Sequence, residues 1–157
     1  MMKNIIMEGE KLLTQNNNDN DLYFLYGTLG NLYRIIEQPQ KALAFLNSCL
    51  DFAQKNGNIQ KEVITLIRIG EALKYDNQHL MAIRAFNEAI HKCKDLEIYE
   101  DFILQHKGKC LMELGKLEEA ERCLLKSLKL RKIKNDSSLI DSTQKAIDYV
   151  YRLKNIL

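Results

Sequence analysis

The chain has 157 residues, of which 46% are hydrophobic and 28% are charged, and 23 basic against 21 acidic side chains give a net charge of +2. This apolar content is enough for a folded core and excludes an intrinsically disordered tail. The near balance of charge argues against a dedicated nucleic-acid-binding protein, which usually carries a clear basic excess. Length and composition together predict a single domain or one compact repeat array.

The cysteine pattern and the hydropathy bear on location and on metals. No two of the four cysteines form a C-x-x-C pair, and their spacings match no zinc or haem signature. The first thirteen residues mix charged and apolar side chains and do not resemble a signal peptide. No apolar run approaches the length that spans a bilayer. We therefore expect reduced thiols, a cytoplasmic location, no metal site and no membrane partner.

The first predicted helix covers residues 1–15, and the sequence contains no partner helix before it. A polar joint over residues 16–21 follows, and Asn20 or Asp21 is the expected N-cap of the next helix. From there on, apolar residues recur at spacings of three and four, which indicates amphipathic helices. This periodicity predicts three helical hairpins followed by a closing helix: 22–56, 58–96, 98–134 and 138–155.

Three glycines lie in equivalent surroundings within the hairpins: Gly30, Gly70 and Gly108. Twelve residues after each glycine comes an alanine, in order Ala42, Ala82 and Ala120. Four residues beyond each alanine comes a bulky apolar residue, in order Leu46, Phe86 and Leu124. Constant offsets of this kind indicate an internal repeat. Small residues at the glycine and alanine positions are expected to let the two helix backbones of each hairpin approach closely.

This pattern resembles that of the tetratricopeptide repeat (TPR) family, W-x2-L-G-x2-Y followed by A-x3-F. The first copy supplies these positions with Tyr26, Leu29, Gly30, Tyr33, Ala42 and Leu46. The glycines are 40 and 38 residues apart, against about 34 in a standard repeat, as in the long-repeat arrays of kinesin light chains and bacterial peptide-sensing regulators. The resemblance covers about residues 22–134. It implies an all-α solenoid, a right-handed superhelix of about eight antiparallel helices forming one repeat domain.

The sequence carries no recognisable catalytic or cofactor motif. It has no phosphate-binding glycine loop, nucleophile elbow or zinc-protease helix. His79, His91 and His106 fall on different parts of the predicted solenoid, whereas a catalytic or metal site needs groups that converge. We therefore predict a protein that is not an enzyme and that uses no cofactor.

A basic run near the end of the third hairpin has two interpretations. It comprises Lys126, Lys129, Arg131, Lys132 and Lys134. The favoured interpretation is a solvated last part of a helix, where cations complement the negative end of the helix dipole. The other interpretation is a patch that binds an anionic ligand.

The resemblance implies a concave groove lined by the first helices of successive hairpins. Its inward positions are six and two residues before each glycine and one, four and five residues after it. The peptide- or partner-binding residues predicted from these positions are Phe24, Thr28, Asn31, Arg34, Arg68, Glu71, Lys74, Tyr75, Phe102, His106 and Lys109. The same register adds Ile35, Ile64, Met112 and Glu113, and on the closing helix Ile140, Gln144, Ile147, Val150 and Tyr151.

Two features of this predicted groove have alternative interpretations. Phe24, Ile64, Phe102 and Ile140 repeat one apolar slot, which is either a stripe for an amphipathic ligand or packing against the neighbouring hairpin. The polar positions either bind a peptide backbone or a carboxylate through charge-assisted hydrogen bonds or are simply solvated.

The carboxylate-clamp subfamily of TPR proteins is matched at one of the four positions compared. Asn31 fits the clamp, but Gly27 stands where the clamp has lysine, Arg68 where it has asparagine and His106 where it has arginine. A chaperone co-factor is therefore not predicted.

The function that these features favour is a scaffold or adaptor that binds a peptide or partner segment in the concave groove. The alternative is the sensor portion of a regulator that binds a small signalling peptide. The apolar residues of the closing helix occupy more than one stripe along the helix. A helix that buries a single face requires only one such stripe. This distribution indicates a homodimer through a terminal helix, or else a longer array from which the neighbouring helices are missing.

Overall fold

The computed structural model describes residues 1–15 and 17–157, and that part of the chain contains eight α-helices and no strand. The predicted all-α solenoid of about eight helices is confirmed. In chain order the helices are α1 (Met2–Leu13), α2 (Asp19–Ile35), α3 (Pro39–Lys55), α4 (Ile59–Tyr75), α5 (His79–Lys92), α6 (Glu100–Glu113), α7 (Leu117–Lys134) and α8 (Ser137–Ile156).

Each helix packs against the next one along the chain. The most extensive contacts join α2 with α3, α4 with α5, and α6 with α7, which makes these pairs the three hairpins. The first helices of the hairpins also touch one another, α2 with α4 and α4 with α6. Helix α6 also touches the closing helix α8. Among the described residues, contacts between helices that are not consecutive join only α2, α4, α6 and α8, which therefore form one continuous surface of the solenoid.

The glycines of the repeat lie directly against the bulky residue of the partner helix. A Cβ atom placed on Gly70 would stand 2.4 Å from Cε1 of Phe86. The corresponding distance is 2.6 Å between Gly30 and Cγ of Leu46. Phe86 and Leu46 are themselves fully buried, so neither has open space into which to move. The fixed spacing in the sequence therefore marks the closest contact between the two helices of a hairpin.

The helix starts show which residues cap them. Helix α2 begins at Asp19, and the side chain of Asn18 accepts a hydrogen bond of 2.9 Å from the backbone N–H of Asp21. The expectation of an N-cap at Asn20 or Asp21 is wrong, because both residues already lie in the first turn and Asp21 is the residue whose N–H is capped. Asn16, the first residue of the predicted joint, lies outside the described residues. Pro39 occupies the first turn of α3, where its missing N–H leaves no hydrogen bond unmade.

A buried ion pair joins the last three helices. Arg131 of α7 donates from Nε to Oδ2 of Asp101 in α6 over 3.1 Å, and from Nη1 to Oγ1 of Thr143 in α8 over 2.7 Å. Lys134 also contacts Asp101. Both Asp101 and Arg131 are almost inaccessible to solvent. The interpretation of the basic run as a solvated surface is therefore wrong for Arg131, whose charge is compensated inside the fold.

The closing helix α8 turns two predicted groove residues into the core. Ile147 and Val150 are buried together with Leu124 and Leu128 of α7. Their expected place in the groove is wrong, because α8 buries its apolar side chiefly against α7. Ile140 packs against the same cluster, so at this position the repeated apolar slot serves packing.

Removal of the Asp101 carboxylate is expected to be costly. The Asp101→Ala substitution leaves the charge of Arg131 buried without its partner, and such a change lowers the free energy of unfolding by about 3–5 kcal/mol. The matched control is Asp141→Ala, which removes an exposed partner of Lys145 within α8 and should cost at most about 0.5 kcal/mol. Urea unfolding followed by circular dichroism measures both. Equal effects of the two substitutions would contradict a stabilising role for the buried pair.

Candidate functional site

Two adjoining pockets lie along the surface made by α2, α4 and α6. The α2–α4 pocket has a volume of about 430 Å³ and lies between Phe24 on α2 and Lys61 on α4. The α4–α6 pocket has a volume of about 230 Å³ and lies between α4 and Phe102 on α6. Ile64 and Arg68 of α4 line both pockets, so the two pockets form one groove. We refer to it as the first-helix groove.

Several of the residues that the sequence predicted for binding line these pockets. They are Phe24, Thr28, Arg68, Glu71, Phe102 and His106. Phe24 is 68% exposed, so its ring faces solvent and does not pack on the neighbouring hairpin. The ring of Phe102 is covered on one side by the guanidinium of Arg131, 5.2 Å from the ring centroid. Of the residues in the repeated apolar slot, Phe24 on α2 thus faces the groove and Phe102 on α6 is partly covered by the protein. Ile140 on α8 packs against the core.

Polar contacts between groove residues cross three helices. The Oδ1 atom of Asn31 accepts hydrogen bonds of 3.3 and 2.9 Å from Nε and Nη2 of Arg34. Oε1 of Glu71 on α4 lies 3.7 Å from Nη1 of Arg34 on α2 and 3.5 Å from Nδ1 of His106 on α6. These four side chains therefore hold one another in place and link the three hairpins. The repeat register of the sequence did not predict this pairing.

A second cluster lies at the far end of α4 and α6. Glu113 contacts Nζ of Lys74 at 3.3 Å and Nε2 of His79 at 2.7 Å. Burial raises the pKa of Glu113, but the hydrogen bond from His79 and the charge of Lys74 outweigh it and hold the pKa below its usual value. Lys74 also lies 5.2 Å from the ring centroid of the exposed Tyr75. The ammonium group of Lys74 therefore already interacts with groups of the protein itself, Glu113 and the ring of Tyr75.

The charges of His106 and Lys109 are shaped by burial. Burial lowers the pKa of His106, although the nearby Glu71 raises it, so the imidazole is neutral near pH 7. Its ring stacks on Phe86 with the centroids 6.2 Å apart. Burial also lowers the pKa of Lys109, and the positive charges of Lys74 and Arg131 act in the same direction. The folded protein therefore disfavours the charge of Lys109, whereas an anion beside it would stabilise that charge.

Arg68, like Lys109, is a cation of the groove for which the described residues supply no ion-pair partner. Within residues 1–15 and 17–157, no carboxylate lies within 4.0 Å of its guanidinium and no acceptor takes a hydrogen bond from it. Its Nη1 atom stands 3.2 Å from the place that a Cβ on Gly27 would occupy. Gly27 therefore leaves the space on α2 into which the guanidinium of α4 fits.

Sequence reasoning missed the residues at the helix starts. The ring of Tyr23 on α2 lies 4.4 Å from Nζ of Lys61, and both residues line the α2–α4 pocket. Tyr99, which precedes α6 with a positive φ of 71°, lines the other pocket, and its hydroxyl accepts a hydrogen bond of 2.8 Å from Gln60. The five repeat offsets did not include these positions, because the offsets describe helix interiors.

Among the described residues, no group of three or more histidine, cysteine, aspartate or glutamate side chains has the arrangement of a metal site. No helix in that part of the chain is long and apolar enough to cross a membrane. The four cysteines carry free thiols, and three of them are buried.

A solenoid of helical hairpins with a groove along its first helices defines a class of repeat protein. The family model described as a tetratricopeptide repeat matches residues 25–56 and 103–133, which fall on the first and third hairpins. These two segments match the tetratricopeptide repeat that the sequence pattern resembles. No curated protein matches the chain significantly.

Solved structures share this fold. The apo form of RapI superposes with a TM-score of 0.82 at 15% identity over 93% of this chain and 54% of RapI. A Rap protein in complex with Competence and Sporulation Factor gives 0.81 at 18% identity over 98% of this chain and 45% of its own. PlcR of Bacillus thuringiensis, in complex with the peptide PapR7 and DNA, gives 0.78 at 18% identity over 94% and 54%. The chain thus spans about half the length of these proteins.

Proposed function

We propose that the chain is a protein–protein interaction scaffold that binds a peptide or partner segment in the first-helix groove. The observation that carries this proposal is a continuous groove in which the exposed ring of Phe24 lies beside the unpaired guanidinium of Arg68. Large exposed apolar groups beside a cation are typical of surfaces that bind other proteins, because aromatic residues and arginine dominate binding energies at interfaces.

The way in which the groove divides its charges supports a binding role. Asn31, Arg34, Glu71 and His106 contact one another and hold the hairpins in register. In the part of the chain that the structure describes, Arg68 and Lys109 have no such contacts, so both are available to a ligand. A groove that is held by one set of polar residues and binds with another is already ordered before its ligand arrives, which lowers the entropic cost of binding.

The solved relatives support a peptide as the ligand. The Rap protein was crystallised with Competence and Sporulation Factor, and PlcR with the peptide PapR7. These complexes also support the alternative function, in which this chain is the sensor portion of a regulator that responds to a small signalling peptide. The two functions differ in ligand size and in whether an output domain is attached to the chain or recruited by it.

The whole chain acts as one repeat domain, uses no cofactor and catalyses no reaction, and its partner is neither a nucleic acid nor a membrane. A cytoplasmic location is supported by the four free thiols, since reducing compartments keep cysteines unpaired.

A homodimer through a terminal helix is the second part of the proposal. Helix α8 exposes Tyr149, Tyr151 and Ile156, and a second copy that covers them would remove this apolar surface from water. We expect light scattering at micromolar concentration to give twice the mass of the chain. A mass of 18.3 kDa would contradict the dimer.

Loss of the two available cations is expected to reduce partner binding without loss of stability. In the double variant Arg68→Ala/Lys109→Ala, each removed charge costs a charge-assisted hydrogen bond to the ligand, about 1.5–3 kcal/mol. The free energy of unfolding should change by less than about 0.5 kcal/mol, because neither cation has an ion-pair partner to lose. Quantitative mass spectrometry of proteins retained from a lysate of the source organism measures the effect.

The control for this experiment removes the same charge elsewhere. Arg84→Ala/Lys55→Ala changes two exposed residues of the second helices α5 and α3 and should retain the same proteins as the parent chain. If the groove variant also retains them in unchanged amounts, the groove is not the binding surface.

A further inference from the structure

The missing side chain of Gly27 leaves a space on α2, which we call the notch. This notch gives the groove a local preference for negatively charged groups. The guanidinium of Arg68 stands against the bare backbone of Gly27, with Nη1 3.2 Å from the position of a Cβ. The side chain is partly buried, so its charge is less hydrated than that of a surface arginine. A partly desolvated cation without a counter-ion attracts an anion more strongly than a solvated one does.

The charged residues that line the α2–α4 pocket are all positive. Its charged lining residues are Lys61 and Arg68, and no acidic residue is among them. Within residues 1–15 and 17–157, the Nζ atom of Lys61 contacts the ring of Tyr23 and, at 3.4 Å, the amide oxygen of Asn20, and no carboxylate. Glu71, an acid of the same groove, belongs to the other pocket and is held by Arg34 and His106. A basic ligand would therefore find no counter-charge in this pocket, and an acidic one would find two.

The shape of the groove indicates which kind of carboxylate fits. The groove continues on both sides of Arg68, into the α2–α4 pocket and into the α4–α6 pocket. A peptide that uses both pockets has to pass across Arg68 rather than end there. The α4–α6 pocket offers Ile64, Ile67, Tyr99 and Phe102, which favour an apolar side chain. An acid followed or preceded by an apolar residue would thus place each group against its matching surface.

We propose that the first-helix groove recognises an internal aspartate or glutamate of an extended peptide, with its side-chain carboxylate bound by Arg68 in the notch at Gly27 and an adjacent apolar side chain in the α4–α6 pocket. This inference rests on the proposed peptide-binding function and specifies its ligand. It differs from recognition of a peptide's end, because the ligand carboxylate belongs to a side chain and the chain runs on in both directions.

Three short peptides test the inference on the whole chain. Acetyl-Leu-Glu-Leu-amide carries an internal acid with an apolar neighbour on each side, so its direction in the groove does not matter. Acetyl-Leu-Gln-Leu-amide is its neutral isostere, and acetyl-Leu-Gln-Leu with a free carboxylate carries the charge at the end. Titrations of the 15N-labelled protein, followed at the backbone amides of Gly27 and Thr28 and at the Nε–H of Arg68, give the dissociation constants.

We expect the glutamate peptide to bind at least about tenfold more tightly than either glutamine peptide, as one charge-assisted hydrogen bond implies. In the Arg68→Gln variant this ratio should fall to about one, and in the Arg84→Gln control, an exposed arginine on α5, it should persist. If Arg68→Gln does not fold, the salt dependence of the parent chain decides, since the ratio should shrink as salt screens the charge.

Several results would overturn the inference. They are equal affinities of the glutamate and glutamine amides, tighter binding of the free-carboxylate peptide, a ratio that survives in Arg68→Gln, and no binding of any of the peptides. A failure of the proposed function itself is recognised separately. If the lysate experiment shows that Arg68→Ala/Lys109→Ala releases partners while the peptides show no preference for glutamate, the groove remains the binding surface and only its acid specificity is wrong.

Discussion

The structure depends on one contact that recurs in each hairpin, the seating of a bulky apolar side chain of the second helix against a glycine of the first. At Gly70 the ring of Phe86 occupies the space that any larger residue would need. Because this contact fixes how closely the two helices approach, it also fixes how each hairpin packs on the next. Stacked hairpins then place their first helices side by side, and this arrangement creates the groove.

The groove gives the protein a surface with two kinds of polar residue. The residues of one kind lie around Glu71 on α2, α4 and α6 and interact with one another. The other kind, Arg68 above all, stays without a protein partner among the described residues. The buried pair of Asp101 and Arg131 extends the first kind toward α8, so that charges between hairpins contribute to the order of the array. Binding then depends on the few charges that the fold leaves over.

The regular part of this architecture could be predicted from the sequence, and the irregular part could not. Glycine and alanine at constant offsets predicted the hairpins, because a close helix contact requires small residues at fixed positions. Which polar residues pair across helices depends on side-chain reach, which a repeat register does not contain. Hence Arg34 and His106 were expected to be as available as Arg68. Tyr23, Lys61 and Tyr99 were missed because helix starts vary between repeats, as the positive φ of Tyr99 illustrates.

The most direct test of this account is the stability of the Gly70→Ala variant in urea unfolding. An added Cβ, 2.4 Å from the buried ring of Phe86, should lower the free energy of unfolding by about 1–3 kcal/mol through overpacking. Helix propensity alone would raise it by about 1 kcal/mol, so the two effects have opposite signs. Asn47→Ala, at an exposed site on α3, is the control and should leave stability unchanged or slightly higher. A Gly70→Ala protein as stable as the parent or more so would contradict the central role of the glycine contact.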